Sequence, residues 1–166
     1  MAEQTSVDRI ADRLKERVYV TFSSLAVVVT MSSHTEGISV GSAAFTLAIT
    51  VAATVLAVFV ADIAAHMVAH AGLPSRDELG HMAKTSFGAL GAIILPMLYL
   101  LLAAFELWQL NTALRAATVT LAATLIAVGY IAIRRVRLPL WQRLVVLLAV
   151  AALGFAVIAL ELLAHG

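Results

Sequence analysis

The 166-residue chain contains no cysteine. Disulfides, thiolate metal sites and cysteine nucleophiles are therefore excluded, and a metal bound here would need imidazole and carboxylate ligands. Charge is scarce as well: Asp, Glu, Lys and Arg make up 13% of the residues, about half the share usual in soluble domains. The formal net charge is only +1, which argues against nucleic acid as a partner because phosphate backbones demand a concentrated basic surplus. Enzyme motifs are missing too. There is no G-x-S-x-G, no H-E-x-x-H and no nucleotide-phosphate loop, and Gly88 and Gly91 read as packing glycines. The N-terminus lacks the short basic region followed at once by an apolar run that marks a cleavable signal, so the first hydrophobic segment is expected to stay as an anchor. No internal repeat is present at a fixed period.

What the chain does have is apolar surface: 62% of its residues are hydrophobic and its mean hydropathy is +0.99. This composition is that of an integral membrane protein. The stretch from Ile38 to His70 shows it best. No charge occurs from Ile38 to Ala61, which is long enough to cross a hydrocarbon core of about 30 Å. Asp62, His66 and His70 then follow at four-residue spacing, and since each such step rotates a helix by only about 40°, they share one face. Ala53, Ala57, Ala61, Ala65 and Ala69 form a ridge of small side chains one position back, a surface on which another backbone is expected to pack.

The remaining chain reads as an all-α bundle of five transmembrane helices preceded by an N-terminal amphipathic helix. Residues 1–17 carry Val7, Ile10, Ala11 and Leu14 at a helical spacing that Val18 continues, with Thr5 and Asp8 as a capping box. Its acidic residues Asp8, Asp12 and Glu16 dilute attraction to anionic lipid. The transmembrane domain occupies 18–166, with a short first span from Val18 to Ser33 into which the amphipathic helix can run unbroken. Tyr19, Ser23, Ala26, Thr30 and Ser33 share a face of that span and are expected to be its packing side. A turn at 34–37 leads to the second span, which Gly72 and Pro74 end, Gly72 supplying a left-handed cap. Ser75 and Glu78 form the next capping box. The third span runs from Thr85 to Leu107 and is expected to kink at Pro96. The fourth covers Ala113 to Ile133, and the fifth Leu144 to Ala164. Trp108 and Trp141 fall at interfaces. Ten of the eleven Lys and Arg residues, all but Arg115, lie on one side of this arrangement. That places the N-terminus in the cytoplasm and the C-terminal His165-Gly166 outside.

With this topology Asp62, His66 and His70 gather on the inner side, with Asp77, Glu78 and His81 across a short loop. Glu106 and Glu161 belong to the outer side, and Glu161 with Glu106 is the candidate ion path toward Asp62. Two histidines at i and i+4 can chelate a divalent transition metal such as zinc, and Asp62 can be a third ligand or orient His66. Two other readings stand beside this one: a proton-sensitive histidine pair, and plain capping of a helix end whose dipole favours histidine. A membrane metallohydrolase built on His66 and His70 is a minor alternative to a protein without catalysis. The polar residues available for a path across the bundle are Ser23, Thr30, Thr118, Thr120, Thr124 and Tyr130, a thin series. The expected function is a small channel or transporter passing protons or a divalent cation, built as a homo-oligomer; the competing expectation is a non-transporting structural or partner-binding subunit. The A-H-x-x-A-H element at Ala65–His70, with the closing ALGFAVIALELLAHG, resembles a group of small, uncharacterised multi-pass bacterial proteins. That resemblance implies a place in the bacterial inner membrane and no activity.

Overall fold

A computed structural model describes residues 2–33 and 37–134 together with 141, 142, 144, 145, 148 and 152; for residues 2–10 and for 133 it describes the backbone alone. The described chain is all-helical. In order, α1 spans Ala2–Ser33, α2 Val40–His70, α3 Arg76–Gly88, α4 Ile94–Ala104 and α5 Leu110–Arg134, with a 3-10 segment at Ala89–Ile93 between α3 and α4. Three stretches are long and apolar enough to cross a membrane: Val40–His70, Arg76–Ala104 and Leu110–Ala132. Of the fifth expected span only 144, 145, 148 and 152 are described; Glu161 and His165 lie outside the described residues, as do His34, Glu36 and the side chains of Thr5 and Asp8.

The expected amphipathic helix and first span are one continuous helix. No proline or glycine interrupts Ala2–Ser33, so nothing in the backbone stops the hydrogen-bond ladder at the change from charged to apolar sequence. This helix is central, packing against α5, α2, α3 and the 3-10 segment. Its buried face carries Val20, Thr21, Ser24, Leu25, Val28 and Met31. The face expected from the hydroxyl pattern is turned outward: Tyr19 is 55% exposed, and Thr30 and Ser33 are exposed too. Their hydroxyls donate to the carbonyls of Ala26 and Val29 of the same helix.

A similar correction applies to α2. Ala53, Ala57, Ala61, Ala65 and Ala69 are all exposed, while Ala43, Leu47, Val51 and Val55 are buried. Large apolar side chains fill the bundle better than methyl groups. The close contacts between helices use other small residues, Ala113 and Ala117 of α5 and Ala103 of α4, which are buried among Leu47, Val51, Leu100, Leu114 and Leu121. Small residues four apart in this setting let two helices approach closely.

The third span leaves α-helical geometry just before Pro96. Pro96 sits in the first turn of α4, where its missing N–H costs nothing. Its ring would clash with the carbonyl one turn back, so the preceding Ala89–Ile93 turn tightens to 3-10 geometry. Outside the core the molecule is covered with exposed apolar groups such as Phe45, Val68, Leu107 and Val119. In water such a surface would aggregate; in lipid it is the natural exterior.

Candidate functional site

Three helix ends meet at one end of the bundle. From α1 come Asp12, Lys15 and Glu16, from α2 Asp62, Ala65, His66 and Ala69, and from α3 His81, Met82 and Thr85, enclosing a cleft of about 310 Å³. Asp62 and His66 are placed there because they continue the buried stripe Leu47–Val51–Val55 of α2 in steps of three and four residues. The α3 side is fixed by its cap. Ser75 accepts from the Glu78 backbone N–H, and Glu78 Oε2 in return accepts from the Ser75 backbone N–H and hydroxyl at 2.7 Å each, which is the expected capping box.

The predicted row is divided between partners. Asp62 Oδ1 accepts from Lys15 Nζ at 2.8 Å, and Lys15 also lies 3.8 Å from Asp12. His66 faces Glu78, with Nε2 3.8 Å from Oε2, a pair that is ionic only when the imidazole is protonated. The His66 and His70 rings are 4.4 Å apart between centroids and tilted by 40°; His70 itself is exposed. Among the described residues no three His, Cys, Asp or Glu side chains are grouped so as to hold a metal ion. The loop does fold back, as Glu78 and His81 required to join this site, but Asp62 is engaged elsewhere.

The residue at the centre of the cleft is Glu16. It is 1% exposed. Its Oε1 accepts from the Ser86 hydroxyl at 3.1 Å, while its Oε2 has no hydrogen-bond partner among the described residues. Burial pushes its carboxyl up to about 7; the Ser86 bond opposes this, the Asp62 carboxylate adds to it, through a hydrogen bond that only the protonated Glu16 can make and through its charge, and Lys15 opposes it. Lys15 is raised in turn, chiefly by its hydrogen bond to Asp62 and against the cost of burial. An acid that titrates near neutrality within hydrogen-bonding groups and an ion pair is equipped to take and give up a proton.

Glu16 appeared in the sequence only as a charge that weakened lipid binding. A signal for its role is present: it lies four residues before Val20 and eight before Ser24, at the edge of the face of α1 that is buried. The end of α2 that Gly72 was expected to turn is turned by Ala71, which caps the helix in the left-handed region at φ 50° and ψ 30°. Gly72 is not left-handed.

Glu106 lies apart from the cleft. It is exposed in the turn after α4, with a left-handed φ of 59°. Of the residues considered for a path across the bundle, Thr118 and Thr124 donate to carbonyls of their own helix, whereas Thr120 meets the Tyr99 hydroxyl at 3.2 Å between α5 and α4. Glu161 is outside the described residues. No known protein family matches the chain, and no curated protein or solved structure shows a significant likeness to it.

Proposed function

We propose that the protein is a small proton-conducting channel or proton-coupled transporter, in which Glu16 takes up protons at the cytoplasmic end of the bundle with Asp62, Lys15 and His66 around it. The observation that carries this reading is the Glu16 carboxyl, buried, near neutral in affinity and with one oxygen left without a partner beside a cleft. An unsatisfied buried oxygen is costly, and protonation followed by proton release to the cleft gives it a use. The α2 helix, at 31 residues, is about 46 Å long, so it exceeds the roughly 30 Å hydrocarbon core and carries Asp62 and His66 toward the headgroup layer, where water reaches the cleft.

The divalent-cation form of the proposal needs Asp62 to leave Lys15 and join His66 and His70, whereas the proton form needs no rearrangement. A cytoplasmic N-terminus is supported by the side on which the basic residues gather. A bacterial inner-membrane location rests on the resemblance of the Ala65–His70 element. A homo-oligomer is supported by the exposed Ala53, Ala57 and Ala61 of α2, which offer a second copy a close approach. The test is proton flux into proteoliposomes carrying a pH-sensitive dye under a membrane potential. Wild type is expected to acidify the lumen, and Glu16→Gln to lose most of that flux. Wild-type vesicles as tight as protein-free ones would favour the non-transporting subunit instead.

A further inference from the structure

A second cleft, of about 250 Å³, opens at the same end of the bundle and has the opposite character. It is lined by Arg13 and Arg17 of α1, Lys84, Thr85 and Gly88 of α3, and Ala89. No carboxylate lines it. Among the described residues none of the three cations has an ion-pair partner, since the ion pairs present there use Lys15 and His66. Arg13 and Arg17 stand four apart on one face, about 100° around α1 from Asp12 and Glu16, so the charges of this helix are sorted: Asp12, Lys15 and Glu16 to the first cleft, Arg13 and Arg17 to the second. Gly88 leaves the floor open, because a Cβ built there would meet nothing within 4 Å.

The depth of the three cations is as informative as their number. Arg17 immediately precedes the apolar run that begins at Val18, and Lys84 precedes the one that leads through α3 into α4. Val18 and Phe87 are themselves exposed, 39% and 51%. Cations placed where a lipid-facing surface begins lie at the level of the phosphate layer, and the guanidinium fork matches phosphate oxygens in pairs. We infer that the Arg13–Arg17–Lys84 cleft binds the phosphate of an anionic phospholipid, whose acyl chains follow the apolar surface starting at Val18 and Phe87. This site is separate from the proton site and stands whether or not the protein conducts.

The test is native mass spectrometry of the detergent-purified protein titrated with phosphatidylglycerol or phosphatidylcholine. Wild type is expected to retain phosphatidylglycerol in preference. Arg13→Gln, Arg17→Gln and Lys84→Gln each lower that affinity about fivefold, while Arg76→Gln, an exposed cation outside the cleft, leaves it unchanged. Gly88→Leu fills the cleft with every charge in place and gives a comparable loss, which separates occupancy of the cleft from any misfolding of the arginine variants. Inorganic phosphate at matched concentration displaces no lipid. An equal loss in Arg76→Gln, or an unchanged preference in both Arg17→Gln and Gly88→Leu, overturns the proposal. Displacement by inorganic phosphate would assign the cleft to a free phosphate and overturn it equally.

Discussion

Replacing Glu16 by Gln should make the protein more stable at pH 8 and abolish a pH dependence that the wild type shows. The carboxyl is raised from an ordinary 4.5 to about 7 in the folded protein. Below pH 4.5 both folded and unfolded chains hold the proton. Between 4.5 and 7 the folded chain keeps a proton that the unfolded chain has released, so stability falls steadily as pH rises through this window and levels off above it. The displacement corresponds to at most about 3 kcal/mol, at about 1.4 kcal/mol per pH unit. Gln copies the protonated acid: its carbonyl can still accept from Ser86, and its amide can donate on the side where Asp62 presses. Thermal unfolding in detergent at pH 5, 6, 7 and 8 measures this, and at roughly 2–4 °C per kcal/mol for a chain of this size the wild type should lose several degrees that the variant keeps. Parallel curves for the two proteins would refute the assignment of a near-neutral carboxyl to Glu16.

Three further outcomes are expected. Lys15→Met removes the cation that opposes proton uptake by Glu16, so the pH-dependent window should extend upward, whereas Arg17→Gln should leave it in place; the same unfolding series reads both. Ala71→Gly relieves a left-handed alanine at the end of α2 and should stabilise the protein by about 1 kcal/mol, seen as a rise in melting temperature; a fall would mean that the methyl group packs more usefully than the backbone is strained. Ser75→Ala breaks the capping box of α3 at a cost of about 1 kcal/mol, and hydrogen exchange should show faster opening of the first turn of α3 with the rest of the bundle unchanged.

How far the sequence led depends on the kind of information each element needed. The ends of α2 and α5 and the start of α3 lie within a few residues of their expected limits, because apolar length and the Ser75–Glu78 cap are local properties, whereas the end of α3 at Gly88 inside the third span was not expected. The direction in which each helix faces was harder. On α2 the Asp62–His66 row faces inward as its contrast with the lipid-facing side requires, yet the alanine ridge beside it does not form the helix contact, since composition does not tell whether a methyl stripe is buried within a chain or left for another. On α1 the expected packing face, Tyr19 to Ser33, is not the buried one, which carries Val20, Thr21, Ser24, Val28 and Met31. Hydroxyl groups that bond their own helix do not by themselves point to a neighbour, and Glu16 falls between the two faces, so neither pattern singles it out. The partition of the Asp62–His66–His70 row between Lys15 and Glu78 depends on two contacts between distant segments, 47 residues apart in the case of Lys15 and Asp62, which spacing alone does not reach.

The continuity of α1 explains why both clefts exist. A break at Arg17 would have let the charged segment lie on the bilayer surface, with its acids and bases facing water together. Because the helix instead continues straight from the bundle core, the segment from Asp12 to Arg17 stays upright against α2 and α3, and the 100° step per residue distributes its charges by position. Asp12, Lys15 and Glu16 fall toward α2, and Arg13 and Arg17 toward the last turn of α3 and the start of the 3-10 segment. The charges that act most on Glu16 are accordingly Asp62 and Lys15, rather than its sequence neighbour Arg17. Had Arg17 faced the same cleft, a second cation would have held the Glu16 carboxylate ionised and returned its affinity toward that of an ordinary acid. Sorting the charges by helical phase therefore leaves a base-rich cleft suited to phosphate and, beside it, an acid still able to bind a proton near pH 7.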